Sequence, residues 1–109
     1  MPDASNRTTE SELAEAVLSI LAIRTSGKGA FADLFRVIPK IISFTAEDEE
    51  TSSSRPGEFS WQQRVRNITS HKGAAGNYIT DGFLNEIDGG LEITSAGRAR
   101  AKPIESKKK

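Results

Sequence analysis

The run GFLNEIDGGLEITSAGRARA, Gly82 to Ala101, constrains the fold more than any other stretch of the chain. Asp88-Gly89 suits a tight type I′ hairpin turn, whose central residues need the positive φ that Gly, Asn and Asp tolerate. Gly82 to Leu84 and Leu91 to Thr94 then read as two short strands. With Asp88 and Gly89 central, Leu84 falls opposite Ile93, so one face of the hairpin is apolar and needs a cover. Two neighbours can supply it. Upstream, WQQRVRNITSH has the spacing of an amphipathic helix; downstream, Thr94 can cap a helix over SAGRARAK, with Gly97 where that helix must lie close to another element.

The remaining sequence sets limits. A chain of 109 residues, 36% hydrophobic, suits one small domain with a modest single core. No cysteine is present, so a disulfide framework, a thiol nucleophile and a thiolate metal site are excluded. One histidine, His71, argues against structural zinc, and no cofactor is expected. Apolar stretches are broken by charges well short of a membrane span, and the polar N-terminus lacks a signal-peptide core, so the expectation is a cytoplasmic, nucleoid-associated protein without membrane contact. Formal charge balances at fifteen against fifteen, but unevenly. Residues 1 to 60 hold six Lys/Arg and ten Asp/Glu, whereas residues 61 to 109 hold nine and five. Such asymmetry hints at a second half that faces a polyanion.

In chain order, residues 1 to 8 read as a disordered start. Thr9 and Glu12 form a capping box, and Leu13, Ala16, Val17, Ile20 and Leu21 make the core stripe of a helix ending near Thr25, with Glu12, Glu15 and Ser19 opposite. SGKGA fails the spacing of a phosphate loop and reads as a connector, with Lys28 at most a phosphate contact. Phe31, Leu34, Phe35, Ile38 and Ile42 give a second stripe, and Pro39 either kinks that helix or restarts it in a first-turn position. Thr45 is placed to cap a turn over Ala46 to Glu50. The acidic run EDEE fits a solvated helix start better than a metal site, because adjacent side chains do not converge. TSSSRPGE is a polar loop.

Ser60 to Gln63 reads as a second capping box, with Ser60 as N-cap. From there Trp61, Val65 and Ile68 share one side of a helix, at about 100 degrees per residue, and Gln63, Arg66, Asn67 and Ser70 share the other. Arg64 and His71 lie on the flank. Arg matches guanine and Asn or Gln matches adenine in bidentate fashion, so the polar side has the inventory of a major-groove reader; an ordinary solvated helix face has the same composition. Tyr78 is expected to pack beneath the hairpin. Pro103 ends the last helix, and residues 103 to 109 form a basic tail. Its E-x-K triplet lacks the strand and partner aspartate that a nuclease requires.

A helix, a two-stranded wing and a capped helix form the second half of a winged helix-turn-helix, so the expected fold is mainly α with a small β-hairpin, over residues 9 to 102. WQQRVRN, GFL and GGLEITSAGRARA together resemble the winged-helix domain at the N-terminus of Mrr-type restriction endonucleases and related modification-dependent restriction proteins. The matching positions are Trp61 with Arg64 and Val65, Gly82 with Phe83 and Leu84, and Thr94 with Gly97 and Arg98, and the likeness is clearest over residues 59 to 101. Members of that family carry a downstream metal-dependent nuclease domain, and this chain ends without one, as a free-standing binder or a domain excised from a longer enzyme would. The resemblance therefore implies target recognition on double-stranded DNA without catalysis, with a nuclease domain or subunit, or a second copy of the chain, as further partners. Base contacts are expected from Gln63, Arg66, Asn67 and Ser70, and phosphate contacts from Arg64, His71, Lys72, Arg98 and Arg100. Glu86 and Asp88 at the wing tip would repel phosphates, so the tip must stay clear or fold away. The rival expectation is a protein-interaction or dimerisation winged helix, which neutral charge and an acidic tip favour.

Overall fold

Thr9 opens the first helix through reciprocal hydrogen bonds: its hydroxyl accepts from Glu12 N at 3.1 Å while Glu12 Oε1 accepts from Thr9 N at 2.8 Å. The computed structural model describes residues 8–46, 48–51 and 57–102, so the expected tail and most of the TSSSRPGE loop lie outside it. Thr8, expected to belong to a disordered start, is instead buried; residues 1 to 7 lie outside the described part. Helix α1, Glu10–Ala22, is the central element, and it buries more than one stripe. Leu18 and Ser19 are buried along with the predicted positions, and Ser19 Oγ donates to the Glu15 carbonyl at 3.2 Å. The helix stops at Ala22, short of Thr25, where Arg98 donates to the carbonyls of Ala22 and Arg24 at 3.0 and 3.1 Å.

The expected connector is a strand. β1, Lys28–Ala30, pairs antiparallel with the second hairpin strand, Gly29 opposite Leu91. Helix α2, Phe31–Val37, gives way to a 3₁₀ turn over Ile38–Lys40 in which Pro39 takes an early position, so the proline restarts the chain rather than kinking a continuous helix. Thr45 and Asp48 then exchange hydrogen bonds, Asp48 N to Thr45 Oγ1 at 3.2 Å and Thr45 N to Asp48 Oδ2 at 3.1 Å.

Asp48 departs from the solvated reading of the acidic run, since it is fully buried, whereas Glu49 and Glu50 are exposed as that reading expects. A carboxylate removed from water must be hydrogen-bonded. Asp48 accepts from Thr8 N at 2.7 Å and from Thr8 Oγ1 at 2.8 Å as well as from Thr45 N. Its backbone carbonyl receives Trp61 N at 3.1 Å and Ser60 Oγ at 3.0 Å. Helix α3, Ser60–Ser70, consequently has Phe59, not Ser60, at its N-cap, and Gln62, not Gln63, returns the bond to Phe59 N at 2.8 Å. Ser60 is diverted because its hydroxyl is spent on Asp48.

β2, Leu84–Ile87, and β3, Gly90–Ile93, form the hairpin around Asp88-Gly89, with Leu84 opposite Ile93 and Gly89 at φ +73°. The strands sit closer to the turn than the sequence implied: β2 begins at Leu84 and not at Gly82. Thr94 caps α4, Ser95–Arg100, accepting from Gly97 N at 2.9 Å. Among the described residues the architecture is thus mixed α/β, four α-helices with a three-stranded antiparallel sheet in the order β1-β3-β2. α1 lies against α3, α4 and β3, and Leu84, Leu91 and Ile93 join its core.

Gly97 is buried, and a Cβ there would collide with the Phe83 carbonyl oxygen and the Ile93 side chain. Gly97→Ala should cost about 1 to 3 kcal/mol of stability, read from urea unfolding followed by the fluorescence of Trp61, the one tryptophan of the chain. Asp48→Ala, which strands three donors in the interior, should cost roughly 3 kcal/mol in the same assay. Unchanged midpoints would contradict the packing described.

Candidate nucleic-acid interface

Helix α3 is oriented by its apolar side. Trp61, Val65 and Ile68 are buried against the core. Phe44 stacks on Trp61 with ring centroids 4.4 Å apart, and Phe35 meets it edge-on at 5.7 Å. Each such burial is worth about 2 kcal/mol, so this face decides the helix rotation. Opposite it, Gln63, Arg66 and Asn67 are half-buried and Ser70 is exposed. The structure thus brings four of the nine expected contact residues together on one helical face.

All six basic candidates have partners within the fold. Arg64 lies 3.9 Å from buried Asp48, an electrostatic contact beyond hydrogen-bond length, and its Nη1 makes no hydrogen bond to the described residues. Arg66 is held by Glu58, through Nε at 3.1 Å to both carboxylate oxygens and Nη2 at 2.7 Å to Oε2. His71 Nδ1 is 2.8 Å from Glu10 Oε1, joining the end of α3 to the start of α1. Lys72 pairs with Glu86 on β2. Arg98 is engaged with the carbonyls of Ala22 and Arg24 at the end of α1 and just beyond it. Arg100 donates through Nε to Glu15 Oε2 at 2.9 Å and lies over the Tyr78 and Phe83 rings, 5.3 and 5.0 Å from their centroids. Arg98 and Arg100 therefore fasten α4 to α1, apart from the α3 face.

The magnitudes separate these pairs. Lys72 and His71 are more than half exposed, and exposed ion pairs contribute about 0 to 1 kcal/mol, so a competing anion can displace their carboxylates without turning α3. Arg66 differs: its side chain and that of Glu58 are 29% and 20% exposed, and its guanidinium also covers Phe31 and Phe35 at 5.3 and 5.2 Å.

The hairpin tip does not project freely. The Gly89 carbonyl accepts from Phe31 N at 2.9 Å, tying the tip to the start of α2, while Asp88 remains exposed. Between α3 and β2, Asn77 is a buried organiser: its Nδ2 donates to the Ile68 carbonyl at 2.9 Å and its Oδ1 accepts from Ile79 N at 2.8 Å and Thr80 N at 3.2 Å. Sequence reading missed it, although Gly76-Asn77 is a recognisable turn pairing. The carboxylates that neutralise the basic residues were missed as well. Glu10, Glu15 and Glu58 carry no local signal, since their partners lie 61, 85 and 8 residues away.

No group of His, Cys, Asp or Glu side chains among the described residues is arranged to hold a metal ion. None of the described helices is long and apolar enough to cross a membrane. A cleft of about 420 Å³ between α1 and the segment after the 3₁₀ turn, bordered by Thr8, Glu15, Ile41 and Lys102, includes no residue of α3.

Tyr78 is buried as expected, its ring edge-on to Phe83 with centroids 5.6 Å apart. Burial, and then donation of its hydroxyl to the Glu15 carboxylate, push the Tyr78 phenol above its ordinary range, with Arg100 opposing. The folded value lies above the unfolded one, so this group's stabilisation is complete below the unfolded pKa of about 10 and is lost as pH rises through the folded value. Tyr78 is the one tyrosine, so a tyrosinate absorbance titration reads it directly and should find its midpoint above that of the urea-unfolded chain. In thermal melts across the same range Tyr78→Phe should show a shallower loss of stability than the wild type.

No protein-family model, curated protein or solved structure matches the chain.

Proposed function

We propose that this chain is a winged helix-turn-helix domain that binds double-stranded DNA through the outer face of α3. One observation carries the reading: Trp61, Val65 and Ile68 face the core, which turns Gln63, Asn67 and Ser70 outward beside a hairpin with a two-residue turn. The order α1-β1-α2-α3-β2-β3, with β3 between β1 and β2, supports it as the connectivity of a wing following a recognition helix. In the major groove Gln63 and Asn67 match adenine edges, and Ser70 is less selective. His71 and Lys72, whose ion pairs are exposed, supply phosphate contacts by exchanging carboxylate for phosphate. With the sequence resemblance added, the role is target recognition in a restriction or modification-dependent system, cleavage belonging to a nuclease partner.

A second reading has an observation in its favour. Five of the six basic candidates already lie within 3.9 Å of a carboxylate and Arg98 is bound to backbone carbonyls, so the surface offers a polyanion little unpaired charge, and a protein-interaction or dimerisation domain has no need of any.

Duplex binding at two salt concentrations, with modified and unmodified bases, separates the two. Phosphate contacts make log K fall with log salt by about 0.9 per phosphate neutralised, whereas an apolar protein interface responds weakly. Asn67→Ala should weaken binding by about 1 to 3 kcal/mol and relax base preference. Absence of duplex binding, together with salt-insensitive self-association, would favour the second reading.

A further inference from the structure

Arg66 is the basic residue of the α3 face that a duplex cannot recruit cheaply. Its Nε and Nη2 both point at the Glu58 carboxylate, the fork geometry with which a guanidinium grips two adjacent acceptors. A phosphate, or the O6 and N7 atoms of guanine, presents two acceptors to the same fork. The guanidinium cannot swing away without uncovering the Phe31 and Phe35 rings that it lies over. It therefore stays while its acceptor changes.

We infer that Glu58 is a built-in competitor for the DNA acceptor of Arg66, an autoinhibitory carboxylate that must leave before α3 seats fully on a duplex. This rests on the DNA-binding reading and adds a regulator to it. Glu58 directly precedes the Phe59 N-cap, so its side chain can rotate out without unwinding the helix. The wild-type domain accordingly binds DNA as though Arg66 were neutral.

The test is a double-mutant cycle read by fluorescence anisotropy of a labelled duplex at two salt concentrations, using wild type, Glu58→Gln, Arg66→Met and the double variant. Methionine keeps apolar cover on the phenylalanine rings; thermal melts confirm that each variant folds, with Arg66→Gln as replacement if Arg66→Met does not. Glu58→Gln should tighten binding about tenfold and steepen the salt slope by about one, the signature of one added phosphate contact. Arg66→Met should change wild-type affinity less than about twofold and abolish the gain in the Glu58→Gln background. Glu49→Gln, which removes another exposed carboxylate from the segment that precedes α3, should leave affinity within about twofold. A gain equal across duplex sequences assigns Arg66 to phosphate, and a gain confined to certain sequences assigns it to a base edge; both support the competitor role. An equal gain from Glu49→Gln, persistence of the gain without Arg66, or no gain from Glu58→Gln while wild type binds would overturn the inference and leave the DNA-binding reading standing. If neither wild type nor Glu58→Gln binds any duplex, both fall; if Glu58→Gln alone binds, the competitor is demonstrated in its strongest form.

Discussion

The placement of α3 depends on one carboxylate taken out of water. Asp48 sits in the segment between the 3₁₀ turn and α3, where a tight helix-turn-helix would have a few residues. Burying its charge forces a set of donors to converge: the backbone and hydroxyl of Thr8, and the backbone of Thr45. Its backbone carbonyl then receives the first turn of α3. Apolar burial of Trp61, Val65 and Ile68 supplies most of the free energy, but it fixes only rotation about the helix axis. The Asp48 bonds set where along that axis the helix begins. They also explain why a serine with good capping chemistry is not the cap.

What was legible in the sequence was local. The Leu84–Ile93 register followed from a two-residue turn, the inward face of α3 from periodicity, and the Thr94 cap and close packing at Gly97 from residue type. What was illegible required knowledge of a distant partner. β1 is three residues long with a central glycine, and it is a strand because β3 lies beside it. Asp48 read as one acid among four; its burial is a property of the residues around it. The α3 face itself was foreseeable, but the acids that occupy its cations were not.

The charge split along the chain therefore has a different meaning in space. Acids from the first half, Glu10, Glu15, Asp48 and Glu58, meet bases from the second, His71, Arg100, Arg64 and Arg66. Separation in sequence becomes pairing in space: Glu10 and Glu15 pair across the α1–α3 and α1–α4 contacts, and Asp48 and Glu58 pair the segment before α3 with α3 itself. Linear charge counts would suggest a basic platform; the folded surface is closer to a neutral one whose cations are held in reserve.

The cleft bordered by both Thr8 and Lys102 carries a topological consequence. The first and last described residues, Thr8 and Lys102, border one cleft beside α1, and no residue of α3 lines it. Joining those two positions directly and opening the chain at an exposed turn would leave the α3 face uninterrupted. The geometry that makes α1 the hub thus also draws the two limits of the described fold together.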